Sequence, residues 1–278
     1  MLLSQVALVS EISEISASEL TSVAAALQKQ ATRDLGPIWE VPSTVDAFTR
    51  LEDVPVGYWP IIVLKDIQTP GAAGVHSDQQ GQPFALVQYS DSWSLTASHE
   101  CLEMLVDPMG NRLVAGQSPM ENQGRVEFLM EACDPCESSS YAYTVNGMLV
   151  SDFITPHFFD PVAATGVQYS YTGAIKSPRE VLPGGYLSWH EPISDHWWQL
   201  IFFGTDKEFR DLGVMQQKTG SLRETIDKMT PHPELVKGLT PDNKQLLTAR
   251  ATLKTIGQAT NARAEAWRSQ IKALISNA

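Results

Sequence analysis

Basic residues, cysteines and long apolar runs are all scarce in this chain, and each scarcity excludes something. Lys and Arg number 20 against 32 Asp and Glu, a net charge of −12. A body of that sign does not neutralise phosphates, so no nucleic-acid partner is expected. No apolar run reaches the roughly 20 residues of a membrane-spanning helix, so no membrane span is expected either. The segment Met1 to Ser10 is apolar but carries no basic residue, and Glu11 and Glu14 follow at once. It reads as no secretory signal, which points to a cytoplasmic location while leaving unconventional export open. The three cysteines, Cys101, Cys133 and Cys136, are too few for a disulfide framework. Cys133 and Cys136 form a C-x-x-C without a second pair to complete a four-sulfur zinc site. A redox pair, a disulfide or three ordinary thiols remain as readings.

What is present suits a globular protein. With 278 residues and a hydrophobic fraction of 43%, the chain can bury the core of one large domain or two small ones. Its charge is uneven. Residues 241–278 carry six Lys/Arg against two Asp/Glu, which leaves fourteen against thirty in the first 240. Ser16-Ala17-Ser18-Glu19 is a capping box opening an amphipathic helix with Leu20, Val23, Leu27 and Ala31 on one stripe, and Gly36-Pro37 marks its end. Ile61 to Leu64 and Phe84 to Tyr89 read as strands around a Gly/Pro/Gln-rich loop over 68–83. A second helix starts at Asp91 or Ser92 and stops at Asp107-Pro108, with Leu95, Leu102 and Leu105 toward the core. Val126 to Asp134 reads as helical. Asn146-Gly147 marks a hairpin between Tyr141–Val145 and Met148–Val150. Trp197 to Phe203 reads as a strand. Beyond Pro241 a stripe including Leu246, Leu253, Ile256, Trp267 and Leu274 predicts one long helix, able to pack on the body or to join copies of the chain.

The second helix carries Ser98-His99-Glu100-Cys101-Leu102-Glu103. Positions four apart share a helix face, so His99 and Glu103 can reach one cation, with Glu100 beside them. The run differs in one letter from H-E-x-x-H, because Glu103 stands where the second histidine would be. A carboxylate is a legitimate ligand of zinc. Glu127, Glu131 and Asp134, at i, i+4 and i+7, would share one face of the helix expected downstream. Asp107 lies about two turns from His99 and reads as a helix-end or outer group. His190 is followed by Glu191 and Pro192, which forbids a second helical motif.

This order of helix, strands, glycine-rich loop, strand and histidine-bearing helix, over about residues 16–108, resembles the zincin-like metallopeptidase superfamily. The resemblance implies an α+β fold: a zincin-like core with a mixed sheet and an active-site helix, followed by the long C-terminal helix. It places the core at 1–165, an irregular β-rich extension at 166–240 and the helix at 241–278. It implies metal held by His99, Glu103 and Glu131, the last by analogy with the gluzincin branch, with His196 as a rival third ligand. Asp134 would be the outer partner of His99. Glu100 would be the general base, and His157 or Tyr143 would steady the oxyanion. Zinc is the implied ion, and two carboxylates in the set also admit Mn²⁺ or Ca²⁺. The implied activity is peptide or protein hydrolysis, with an inactive scaffold for binding or assembly as the alternative.

Overall fold

Unbroken apolar runs build the first of two five-stranded sheets. In the computed structural model, which describes residues 3–69, 71–215 and 220–230, the chain is a mixed α+β protein. Strands β1 (Ser4–Ser10), β2 (Ser43–Phe48), β3 (Trp59–Leu64) and β5 (Gln82–Gln88) lie parallel, and β4 (Gly74–Gln79) runs antiparallel along the edge of β5, giving the order β2-β1-β3-β5-β4. Parallel strands covered on both faces are apolar throughout. Val6 to Val9 and Ile61 to Val63 accordingly have no exposed surface.

Two helices cover the main face. Helix α1 (Ala17–Lys29) is capped as the sequence indicates, Ser16 Oγ accepting from the Glu19 N–H at 3.1 Å. It does not end at Gly36-Pro37. A π-helical stretch, Gln30–Leu35, and a short helix α2 (Gly36–Trp39) continue it, because proline at a first helical turn sacrifices no needed N–H. Helix α3 (Trp93–Val106) follows β5 directly and packs on β3, β4 and β5. Leu102 and Leu105 are buried, whereas Leu95 is half-buried and faces a cleft. Pro108 stops the helix, and Asp107 closes it by accepting from the Arg112 N–H at 2.7 Å.

The second sheet has the order β12-β11-β10-β7-β6, from β6 (Leu113–Gln117), β7 (Arg125–Leu129), β10 (Tyr186–Glu191), β11 (His196–Ile201) and β12 (Glu208–Val214). Trp189 pairs with Phe128, so the sheet draws strands from both sides of residue 165. One continuous core joins the sheets, with Leu8, Ile61 and Leu102 packed in the same cluster as Phe128, Trp189 and Leu200. Full burial of each such side chain stabilises by about 1.5–3 kcal/mol. The Asn146-Gly147 hairpin forms between β8 (Tyr143–Val145) and β9 (Met148–Val150), with both turn residues at positive φ (50° and 81°). Helix α4 (Leu222–Met229) ends the described chain, and the helix expected over 241–278 lies outside it. Among the described residues no helix is long and apolar enough to cross a membrane.

Two expectations are corrected. Val126 to Asp134 is not a helix. Arg125-Val126-Glu127-Phe128 alternates out and in, Val126 and Phe128 enter the core, and β7 pairs on both sides. The 68–83 loop contains β4, joined to β5 by a Gln80-Gly81 turn with both φ positive (54° and 79°).

Candidate metal centre

Helix geometry sets the first three side chains. On α3, Glu100 and Glu103 are buried, and the His99 side chain keeps 13% of its surface at the floor of a cleft of about 1130 Å³. His99 Nε2 lies 3.3 Å from Glu103 Oε2. Its second contact is Asp134 Oδ1 at 3.2 Å, delivered by a 3₁₀ turn, Asp134–Cys136, that follows β7. Both carboxylates face the same ring nitrogen. An outer partner would hold the other nitrogen, so Asp134 stands as a converging group and not behind the histidine.

Edge strand β4 adds a residue the sequence reading missed. His76 is 3% exposed, and its Nδ1 lies 3.5 Å from Glu100 Oε2 and 3.5 Å from Glu103 Oε2. Gly74 allows this approach: a Cβ there would meet Glu100 Oε1 at 2.5 Å. Helix α4 contributes Arg223, also missed. Its guanidinium contacts Glu131, Asp134 Oδ2 at 3.0 Å and Glu103 Oε2 at 3.6 Å, and donates to the Tyr186 hydroxyl at 3.0 Å. Each had a local signal. The Gln80-Gly81 turn implies a hairpin, and Ser221 and Glu224 make a capping box, Ser221 Oγ accepting from the Glu224 N–H at 3.0 Å.

The other candidates fall into place around these. Glu131 is buried against Arg223. Glu127 projects from β7 toward His190, 3.1 Å away. Asp107 remains a helix-end group, bonded to the Arg112 N–H. His157 is not brought to the cluster: it is 59% exposed on a 3₁₀ turn and pairs with Asp160 at 2.9 Å. Tyr143 donates to Asp34 at 2.8 Å, and His196 pairs with Asp211 at 2.9 Å. Cys101, Cys133 and Cys136 are free and buried, and burial pushes the Cys101 thiol up to about 12.

The electrostatics show excess acid. Burial opposes charge on His76 and His99, but Glu100 and Glu103 beside the one, and Glu103 and Asp134 beside the other, hold both well above the ordinary histidine range. Burial also opposes ionisation of Glu103, yet His99, His76 and Arg223 hold it well below the carboxylate range. Glu131 goes the opposite way. Its burial, reinforced by Glu103 and Asp134, outweighs Arg223 and raises it, while burial and Asp134 push Glu137 up to about 8.

Hydrogen bonding does not satisfy the cluster. His76 Nδ1 and Nε2, Glu100 Oε2, Glu103 Oε2, Glu131 Oε1 and Asp134 Oδ1 are buried without a hydrogen-bond partner. Each such group costs about 1–3 kcal/mol, offset only in part by ion pairs at these distances. Tetrahedral ligands bonded at about 2.0–2.2 Å stand about 3.3–3.6 Å from one another. The imidazole–carboxylate spacings of 3.2, 3.3 and 3.5 Å lie in or just below that range. Charge-assisted hydrogen bonds close to about 2.7–2.9 Å. Among the described residues, His76, Glu100 and Glu103, and likewise Glu103, Glu131 and Asp134, bring ligand atoms within 4.8 Å of one another, close enough to share a metal ion.

Compared with known proteins, the chain matches no family model, no curated protein and no solved structure.

Proposed function

We propose that the chain is a metal-dependent hydrolase acting on peptide or protein substrates in the cleft above α3. His99 and Glu103 would hold the ion, and the 131–134 turn would supply the third ligand, with Asp134 better placed than Glu131. The single observation behind this reading is that Glu103 Oε2 and Asp134 Oδ1, buried without a hydrogen-bond partner, stand 3.3 and 3.2 Å from His99 Nε2. A bound ion of this class supplies a water acidic enough to ionise near neutrality and a Lewis acid for the substrate carbonyl. Glu100 lines the cleft beside His99, where a carboxylate can take the proton of the attacking water and return it to the leaving amine. Tyr186, also on the cleft, accepts from Arg223, whereas His157 and Tyr143, expected to steady the oxyanion, are held by Asp160 and Asp34. The chain order, in which β5 leads directly into the helix that carries His99, supports this reading.

One observation favours a second reading, a metal-free scaffold: Arg223 already brings a cation to Glu103, Glu131 and Asp134. Metal analysis of protein purified without chelator separates the two. At least one divalent ion per chain is expected, lost in His99→Ala. Glu100→Gln should keep the ion at His99 and abolish cleavage of a casein-derived peptide library. Absence of metal after equilibration with Zn²⁺ and Mn²⁺, or full activity of Glu100→Gln, removes the hydrolase reading.

A further inference from the structure

An ion at His99, Glu103 and Asp134 leaves a second set of donors unused. His76 is buried, and neither of its ring nitrogens has a hydrogen-bond partner. Its Nδ1 stands 3.5 Å from Glu100 Oε2 and 3.5 Å from Glu103 Oε2, one tetrahedral edge from each. Ligand atoms of His76, Glu100 and Glu103 all lie within 4.8 Å of one another, as do those of His99, Asp134 and Glu137. Glu103 Oε2 faces both histidines.

We propose that His76, Glu100 and Glu103 form a second divalent-cation site that shares Glu103 with the first, making the loaded centre dinuclear. The proposal rests on the hydrolase reading for the first ion. One argument supports it. A histidinium facing two carboxylates should draw at least one of them to hydrogen-bond length, whereas an ion between the three groups holds all of them apart at the observed spacing. One nitrogen and two carboxylates make a site for Zn²⁺ or Mn²⁺. Glu100 Oε2 cannot be a ligand of this ion and a proton acceptor at once, so the second ion controls whether the base of the first is free.

The test uses the full chain, stripped with chelator and dialysed against Mn²⁺. Two equivalents per chain are expected, the second weaker, with an exchange-coupled electron paramagnetic resonance signal from ions joined through Glu103. His76→Gln and His76→Phe should each bind one equivalent and lose the coupled signal. Saturation of the unaltered chain at one equivalent overturns the second site and leaves the hydrolase reading intact. Two equivalents that persist, uncoupled, in His76→Gln overturn it as well. No binding at all removes both. The count on the unaltered chain decides the matter even where a variant fails to fold.

Discussion

Imidazole meets carboxylate in two regions of this molecule, and the contacts differ. On the exposed side, His157 with Asp160, His190 with Asp195 and His196 with Asp211 all close to 2.9 Å. In the cluster between α3 and β4, His76 and His99 stand 3.2 to 3.5 Å from their acids. Each of these acids lies within hydrogen-bond reach of its histidine, and His190 meets Glu127 as well at 3.1 Å. In the cluster each histidine faces two carboxylates at once, and neither approach reaches that length. An exposed pair contributes about 0–1 kcal/mol. The buried cluster instead leaves polar atoms without a hydrogen-bond partner. A third setting refines the contrast. Asp34 is as buried as Glu103, but Arg33, Tyr143 at 2.8 Å and Tyr171 at 2.7 Å satisfy it from within the chain.

The sharpest way to break the comparison is to remove its hub. Glu103→Ala should reduce bound metal below detection by elemental analysis, while His196→Ala should leave it unchanged. Equal metal content in the two would erase the distinction between the regions. Next in size is Arg223→Met. It strands buried acids and should destabilise the metal-free protein by about 3–5 kcal/mol in urea unfolding, against about 0.5 kcal/mol for Arg210→Met at the exposed Glu208 pair. Saturating Zn²⁺ should recover part of the Arg223→Met loss, since an ion can neutralise the same acids.

Asp34 gives a smaller effect with a defined sign. Burial raises its pKa, but the bonds from Arg33, Tyr171 and Tyr143 outweigh it, and the net shift is downward. A depressed carboxylate stabilises above its unfolded pKa of about 3.9 and loses that contribution as pH falls through the folded value. Asp34→Asn should therefore cost about 1–3 kcal/mol at neutral pH, with a gap to the parent that narrows below about pH 4. A gap that widened on acidification would refute the assignment. The smallest effect belongs to His157→Ala, expected within about 0.5 kcal/mol of the parent by thermal unfolding and with unaltered metal content.

Local rules made several elements legible. The Ser16–Glu19 cap, the Asn146-Gly147 hairpin, the apolar run at Ile61–Leu64 and the stop at Asp107-Pro108 each depend on a few adjacent residues. Glu131 and Asp134 were singled out for a reason that did not hold. Helical spacing was read into them, whereas a strand and a 3₁₀ turn deliver them to the cluster. Alternation over Arg125–Phe128 was the better signal, outweighed by the repeat of acidic residues. His76 escaped notice because β4 is a polar edge strand, with no apolar pattern to reveal it.

By itself, the sequence determined that His99 and Glu103 share one side of a helix with Glu100 adjacent, because the helical repeat is local and Pro108 bounds the element. It also determined that the body is acidic. Only the tertiary structure decided which distant groups meet them. His76 arrives through antiparallel register on β5, Asp134 through the turn after β7, and Arg223 from a helix about 120 residues beyond α3. Those approaches depend on sheet order and on how two sheets share one core, quantities summed over the whole chain and written in no short stretch of it.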